Sequence, residues 1–184
     1  MTTLDPRYGT PGHDTRDRIL DAARQLFAER GYAATSLADI ASAVGVTKTA
    51  VAYHFHPKDR LAAELIAPAA QEIVTLIETE FGDEHAFIEA LVIFVTRHRT
   101  IIRLLMEDIG GADDAPPGSP GEAIRAFRDC IYARLAGPDP DPAARVRAWA
   151  VVGSLQYAVV KTTDLPEETV REALLAAALA AYRS

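Results

Sequence analysis

Residues 35–61, TSLADIASAVGVTKTAVAYHFHPKDRL, constrain this chain more than any other stretch. They predict two short helices joined by a tight turn and followed by the start of another helix. Leu37 to Val44 makes the first, Gly45 the turn, and Thr47 to His54 the second. Ala41 is small where the two helices cross closest. Gly45 stands where the chain bends, because glycine takes a positive φ without steric cost. Ile40, Val44, Val46 and Val51 form an apolar set able to fix the crossing angle. Ser36 with Asp39 three residues on matches a capping box, and Thr47 is a second N-cap candidate. A helix held this firmly, with a polar outer side, can enter a DNA major groove about 12 Å wide.

The preceding segment, TRDRILDAARQLFAERGYAATSL, repeats apolar residues at Ile19, Ala22, Ala23, Leu26 and Phe27 before Gly31-Tyr32. Together with Gly45-Val46-Thr47-Lys48 and Tyr53-His54-Phe55, it resembles the DNA-binding domain of the TetR family of bacterial transcription regulators. The resemblance covers residues 15–61, about a quarter of the chain. Two positions depart from the family pattern. Ala52 stands where an aromatic residue is most common, which removes one contact to DNA. Pro57 stands where a small capping residue is usual, and proline suits the first turn of a helix.

Apolar residues recur at spacings of three and four throughout, with no strand-like alternation. The expected fold is all-α with about nine helices. Residues 1–14 read as a flexible arm and 15–61 as a three-helix DNA-binding domain containing the helix-turn-helix. Residues 62–184 read as a larger helical domain for ligand binding and dimerisation. The expected helices of that part run from near Pro57 to Phe81, Glu84 to His98, Thr100 to Ile109, Glu122 to Leu135, Pro142 to Thr162, and onward from Pro166. Pro68 is expected to kink the first of these. The stretch GGADDAPPGSPG between Ile109 and Glu122 reads as a loop. Phe87, Leu91, Phe94 and Val95, and Ile124, Phe127, Ile131 and Leu135, read as core stripes.

Net charge is −7 over 184 residues, an unusual sign for a DNA binder. Its distribution accounts for this. Residues 1–61 hold eight Lys/Arg and seven Asp/Glu, 8 − 7 = +1, and residues 62–184 hold eleven and nineteen, 11 − 19 = −8. An acidic body repels DNA from all but the proper face. The single cysteine, Cys130, excludes an internal disulfide and fits a reducing compartment. It reads as a buried structural thiol. The polar start MTTLDPRYGTPGHDTR has no signal-peptide character, and no apolar run reaches a membrane span. The expected location is cytoplasmic, with no membrane partner.

The resemblance implies DNA-contacting roles for Thr35, Ser36, Thr47, Lys48, Thr49, Ala50, Tyr53, His54 and Lys58. Threonine offers a hydroxyl and a methyl for base edges. Lys48 is a cation at a helix start, where the macrodipole disfavours it, so an external phosphate is its natural partner. Lys58 lies where free backbone N–H groups also attract anions. One helix-turn-helix binds weakly, so a homodimer on a palindromic double-stranded operator is expected. The expected dimer surface is Val146, Ala150, Gly153 and Tyr157 of one helix with Leu174, Ala177, Ala178 and Ala181 of the next.

The family also implies a mainly apolar small-molecule ligand, with Phe94, His98, Phe127, Trp149 and Gln156 as lining candidates. Gln156 in VVGSLQYAVV draws attention because a buried unpaired amide is costly. The functional expectation is a repressor released from its operator by that ligand, through movement of the fourth or sixth helix. The alternative is a regulator controlled by a protein partner, or an activator. A helical metal-dependent enzyme is the remote alternative. Asp83, Glu84, His85 and Glu89 cluster locally, but their spacing matches no hydrolytic zinc motif, and a charged helix start explains the acids. No catalytic residue, metal site or cofactor is expected.

Overall fold

Helix caps set the frame of this chain. The computed structural model describes residues 11–108 and 120–183. Those residues form α1 (Pro11–Arg30), α2 (Leu37–Val44), α3 (Lys48–His54), α4 (Lys58–Glu78), α5 (Glu84–Arg97), α6 (Arg99–Arg103), α7 (Pro120–Ala136), α8 (Pro142–Lys161) and α9 (Glu167–Arg183). No strand occurs among the described residues. Oxygen side chains begin several of these helices. Asp83 accepts from the Ala86 N–H at 2.8 Å, and Asp141 from the Ala144 N–H at 2.7 Å. Each satisfies a backbone donor that the first helical turn leaves free.

Several boundaries differ from the sequence reading. α1 starts at Pro11, so residues 11–14 are helical and only residues 1–10 of the expected arm lie outside the described residues. Proline at the first helical position lacks an N–H that would have no partner there anyway. Pro57 precedes α4 rather than lying in its first turn, and its carbonyl accepts from the Arg60 N–H at 3.0 Å. α6 is short and passes into a π-helical turn, Leu104–Asp108. Of the expected loop, residues 110–119 lie outside the described residues, and Pro120 already opens α7.

The chain divides into two compact units, the first ending at Ala67 and the second beginning at Pro68, so the division falls inside α4. The first unit buries Ile19, Ala23, Leu26 and Phe27 of α1, a stripe at helical spacing. Ile40, Ala41 and Val44 of α2, Val51 of α3, Phe55, and Leu61 and Leu65 of α4 complete its core. The second unit is built on α5, whose Phe87, Ile88, Leu91, Val92, Phe94 and Val95 are all buried. α5 packs on α8 and α9. α8 contributes Ala148, Val151, Val152, Leu155 and Val159, and α9 contributes Val170, Leu174 and Ala178. α7 also packs on α8, but of its expected stripe only Leu135 is fully buried, with Ile124, Phe127 and Ile131 half-buried. Among the described residues no helix is long and apolar enough to cross a membrane.

Candidate functional site

The helix-turn-helix is held by three local devices. Ser36 and Asp39 form the capping box. The Ser36 N–H and Oγ–H donate to Asp39 Oδ2 at 2.8 and 2.6 Å, and the Asp39 N–H donates to Ser36 Oγ at 3.2 Å. These bonds from the Ser36 hydroxyl and backbone hold the Asp39 carboxyl below the usual carboxylate range. Gly45 ends α2 in the left-handed conformation, φ +75°, and the Val46 N–H returns to the Ala41 carbonyl at 3.0 Å. Thr47 then caps α3, its Oγ1 accepting from the Ala50 N–H at 3.1 Å. A further brace was not legible in the motif. Arg18 of α1 donates to the Val44 carbonyl at 2.7 Å, placing a cation at the C-terminal end of α2.

These devices decide which side of α3 faces out. Val51 and Phe55 are fully buried, whereas Thr47, Lys48 and Thr49 are exposed, and Ala50 and His54 are half-buried. Tyr53 is 84% exposed, with its ring edge-on to His54 at 5.2 Å. No acidic residue stands in the first turn of α3 to neutralise Lys48. The outer side therefore presents one cation, two hydroxyls and a phenol on a rigid helix.

Two expected contact residues are placed otherwise. Thr35 is buried, and its hydroxyl donates to the Gly31 carbonyl at 2.8 Å. It fastens the α1–α2 connection and presents no side chain to DNA. Lys58 is half-buried, with its ammonium donating to the carbonyls of Tyr32 at 2.7 Å and Thr35 at 2.9 Å. The same group lies over the Tyr32 ring. Two of its three donors are thus committed within the domain. Ser36 is exposed, but its hydroxyl serves the cap.

In the second unit, Phe94 is buried and its ring lies 4.8 Å from that of His98. His98 is turned onto Glu72 of α4, Nε2 to Oε2 at 2.8 Å, while Arg97 donates to Oε1 of the same carboxylate at 2.9 Å. The remaining ligand candidates are not brought into the core. Gln156 is half-buried, so water can satisfy its amide and its burial alone calls for no ligand. Trp149 is 42% exposed and stacks on Tyr132 of α7, ring centroids 4.7 Å apart. Cys130, expected inside, is exposed on α7. Among the described residues no group of three or more histidine, cysteine or acidic side chains could hold a metal.

The expected dimer residues divide by face. On α8, Val146 is 69% and Tyr157 66% exposed, and Ala150 is exposed. A Cβ built on Gly153 meets nothing within 4 Å, so packing within the chain does not require glycine there. On α9, Leu174 and Ala178 point into the core, because that helix lays one face on α5 and α8. Its outward alanines are Ala173, Ala176, Ala177 and Ala180, with Ala181 half-buried.

Comparison with known proteins points to one family for the helix-turn-helix part. Residues 19–65, from the buried Ile19 of α1 to Leu65 of α4, match the family model of bacterial regulatory proteins of the tetR family. The helix-turn-helix part of the chain is thus similar to that family. The chain is 38% identical over 106 residues to the HTH-type transcriptional regulator AcrR of Shigella flexneri, covering 52% of this chain and 48% of that protein. It is 34% identical over 111 residues to the HTH-type transcriptional repressor BepR of Brucella suis, covering 53% of each. The matches thus span about half the length of these two relatives. A transcriptional regulator from Aquifex aeolicus has the same fold, with a TM-score of 0.66 at 21% identity over 88% of this chain and 96% of that one. The TetR-family architecture of an N-terminal helix-turn-helix and a helical C-terminal part accords with the two units described above.

Proposed function

We propose that this chain is a TetR-family DNA-binding transcriptional repressor that acts as a homodimer on a palindromic operator. The observation that carries this reading is the outer side of α3. Thr47, Lys48, Thr49 and Tyr53 are exposed on a helix whose inner side, Val51 and Phe55, is fully buried. Such a side chain set meets phosphates at Lys48 and Tyr53 and base edges at Thr47 and Thr49. His54 and Ala50 complete it. The relative named a repressor, BepR, favours repression over activation.

Two copies are needed to read two half-sites about 34–36 Å apart or a multiple of it. The outward side of α8, Val146, Ala150, Gly153 and Tyr157, with Ala173, Ala176, Ala177 and Ala180 of α9, is the surface we assign to self-association. Small residues permit close approach of helices, and two helices from each copy build a four-helix contact. Control by a small, mainly apolar molecule in the second unit follows the family habit, and Phe94 with His98 is the contact point that keeps support there. A ligand releases the operator only through unequal affinity for the bound and released states.

Selection of bound duplexes from random oligonucleotides tests the whole reading. The expected product is an inverted repeat, bound with two chains per duplex. Enrichment of no sequence, or of an asymmetric site bound by one chain, overturns it.

A further inference from the structure

We propose that Arg16 and Glu64 are a positioning pair for DNA binding: neither touches DNA, and together they hold the Tyr53 end of α3 in the orientation that does. The inference rests on the DNA-binding reading above and adds two residues that reading does not include.

Arg16, near the start of α1, donates to Glu64 of α4 and forms an ion pair with it. Its guanidinium also lies 5.5 Å from the centroid of the Phe55 ring. Phe55 is the C-cap residue of α3, so α1, α3 and α4 meet at one side chain. All of these residues lie within the first unit. Phe55 is fully buried, and its N–H donates to the Val51 carbonyl at 2.9 Å, which ties its ring to the last turn of α3. The rings of Phe55 and His54 are 6.1 Å apart, and those of His54 and Tyr53 5.2 Å. A run of contacts thus leads from the Glu64 carboxylate through the guanidinium and the Phe55 and His54 rings to the exposed Tyr53.

The two ends of α3 are held differently. Its start is fixed by the Gly45 turn and the Thr47 cap, with Arg18 bracing the end of α2. Its far end depends on Phe55, since Val51 is the buried residue within the helix itself. α3 has seven residues, and a helix that short takes its direction from its supports. A guanidinium over a ring is attracted to it, and a carboxylate that pairs with the same group keeps it there. The Arg16 and Glu64 side chains are 36% and 29% exposed, so the pair is partly shielded from water. Charge alone argues against an acid here, because a carboxylate in a DNA-binding unit repels phosphate. Position and charge therefore predict opposite signs when Glu64 is changed.

The test uses the full chain and the duplex selected as above, with thermal melts giving the folded fraction. Glu64→Gln is expected to lower operator affinity of the folded protein by about tenfold. The slope of log affinity against log salt is expected to hold, because no phosphate contact is lost. Glu64→Asp, which keeps the charge and shortens the reach, is expected to lose affinity with the same sign. Arg16→Lys is expected to keep most of the affinity, and Arg16→Met to match Glu64→Gln. In a Tyr53→Ala background the Glu64→Gln loss is expected to shrink severalfold, since the side chain it positions is gone. Equal or higher affinity for Glu64→Gln overturns the proposal, as do losses that simply multiply with Tyr53→Ala. A smaller salt slope for Arg16→Met makes Arg16 a phosphate contact and overturns it too. If any of these results comes with Lys48→Ala still weakening DNA binding, only the positioning pair falls. A parent chain that enriches no duplex removes both the pair and the DNA-binding reading.

Discussion

The Lys58 ammonium lies 3.8 Å from the centroid of the Tyr32 ring and also donates to the Tyr32 carbonyl at 2.7 Å. One residue thus engages both the ring and the backbone of the other. The α4 start is thereby tied to the loop that follows α1, and Tyr32 returns a second tie through its hydroxyl to Asp59. Phe27, edge-on to Tyr32 at 5.2 Å, connects the pair to the core.

Lys58→Met should therefore lower stability by about 1–3 kcal/mol, since it removes a cation–π contact and two charge-assisted bonds. Thermal unfolding of the purified variant reads this directly. Were Lys58 chiefly a phosphate contact, the melting temperature would hold and only the salt dependence of DNA binding would weaken.

Lys48→Ala should do the reverse. The side chain is exposed, so folding should be unaffected while affinity falls for all duplex sequences. The slope of log affinity against log salt should drop by about 0.9, the value for one phosphate contact. Thr49→Ala should instead alter preference at one base position. Fluorescence anisotropy over a salt series separates these cases, and an unchanged slope for Lys48→Ala would sink the docking of α3.

Thr35→Val should cost about 1 kcal/mol through the lost bond to the Gly31 carbonyl, in a buried site of nearly the same shape. Operator affinity, corrected for the folded fraction, should not change. A specific loss of DNA binding in a fully folded variant would return Thr35 to the contact set.

The capping box gives a pH dependence with a defined sign. The Asp39 pKa is lowered in the fold, first by the Ser36 hydroxyl and then by the Ser36 backbone. Its contribution is complete above the unfolded-state value and is lost as pH falls through the folded value. Tyr182 works at the other end. Burial, then Glu84, raises its pKa, with Arg147 opposing, so its protonated form is favoured in the fold and stability declines as pH rises past the ordinary tyrosine range. Denaturant titrations of Asp39→Asn should show a flatter acid limb than the parent, with the alkaline limb unchanged. Identical acid limbs would remove Asp39 from the account.

The two faces of α9 supply a paired substitution. Ala177→Glu, on the exposed face, should give a folded monomer. Leu174→Ala, in the core, should lose about 2–5 kcal/mol and leave association intact in the folded fraction. Light scattering beside circular dichroism distinguishes them. A dimeric Ala177→Glu protein would move the contact off α9.

Local chemistry was the legible part of this molecule. Ser36, Asp39, Gly45 and Thr47 act within four residues of themselves, so the sequence alone places α2 and α3 and both caps. Periodicity was equally sufficient for the buried stripe of α5. What escaped were residues whose roles depend on a distant neighbour. Lys58 is an ordinary surface lysine until Tyr32, 26 positions earlier, supplies a ring and a carbonyl. Arg18 is unremarked until the end of α2 arrives beside it. Trp149, Leu174 and Ala178 show a different difficulty. α8 is apolar on two sides, so composition cannot say which side meets the core, and the assignment of α9 inherits that ambiguity. Cys130 followed a general preference for burial, whereas α7 packs on the core along one narrow side only.

The Glu72 carboxylate serves two partners, the Arg97 guanidinium and the His98 imidazole, one through each oxygen. That arrangement is redundant in one direction only. If either Arg97 or His98 is replaced, the other still anchors the end of α5 to α4. If Glu72 is replaced, both anchors fail together, and a guanidinium and an imidazole are left side by side with no anion between them. A survey of tolerated changes should accordingly find drift at positions 97 and 98 taken singly, and far less at position 72.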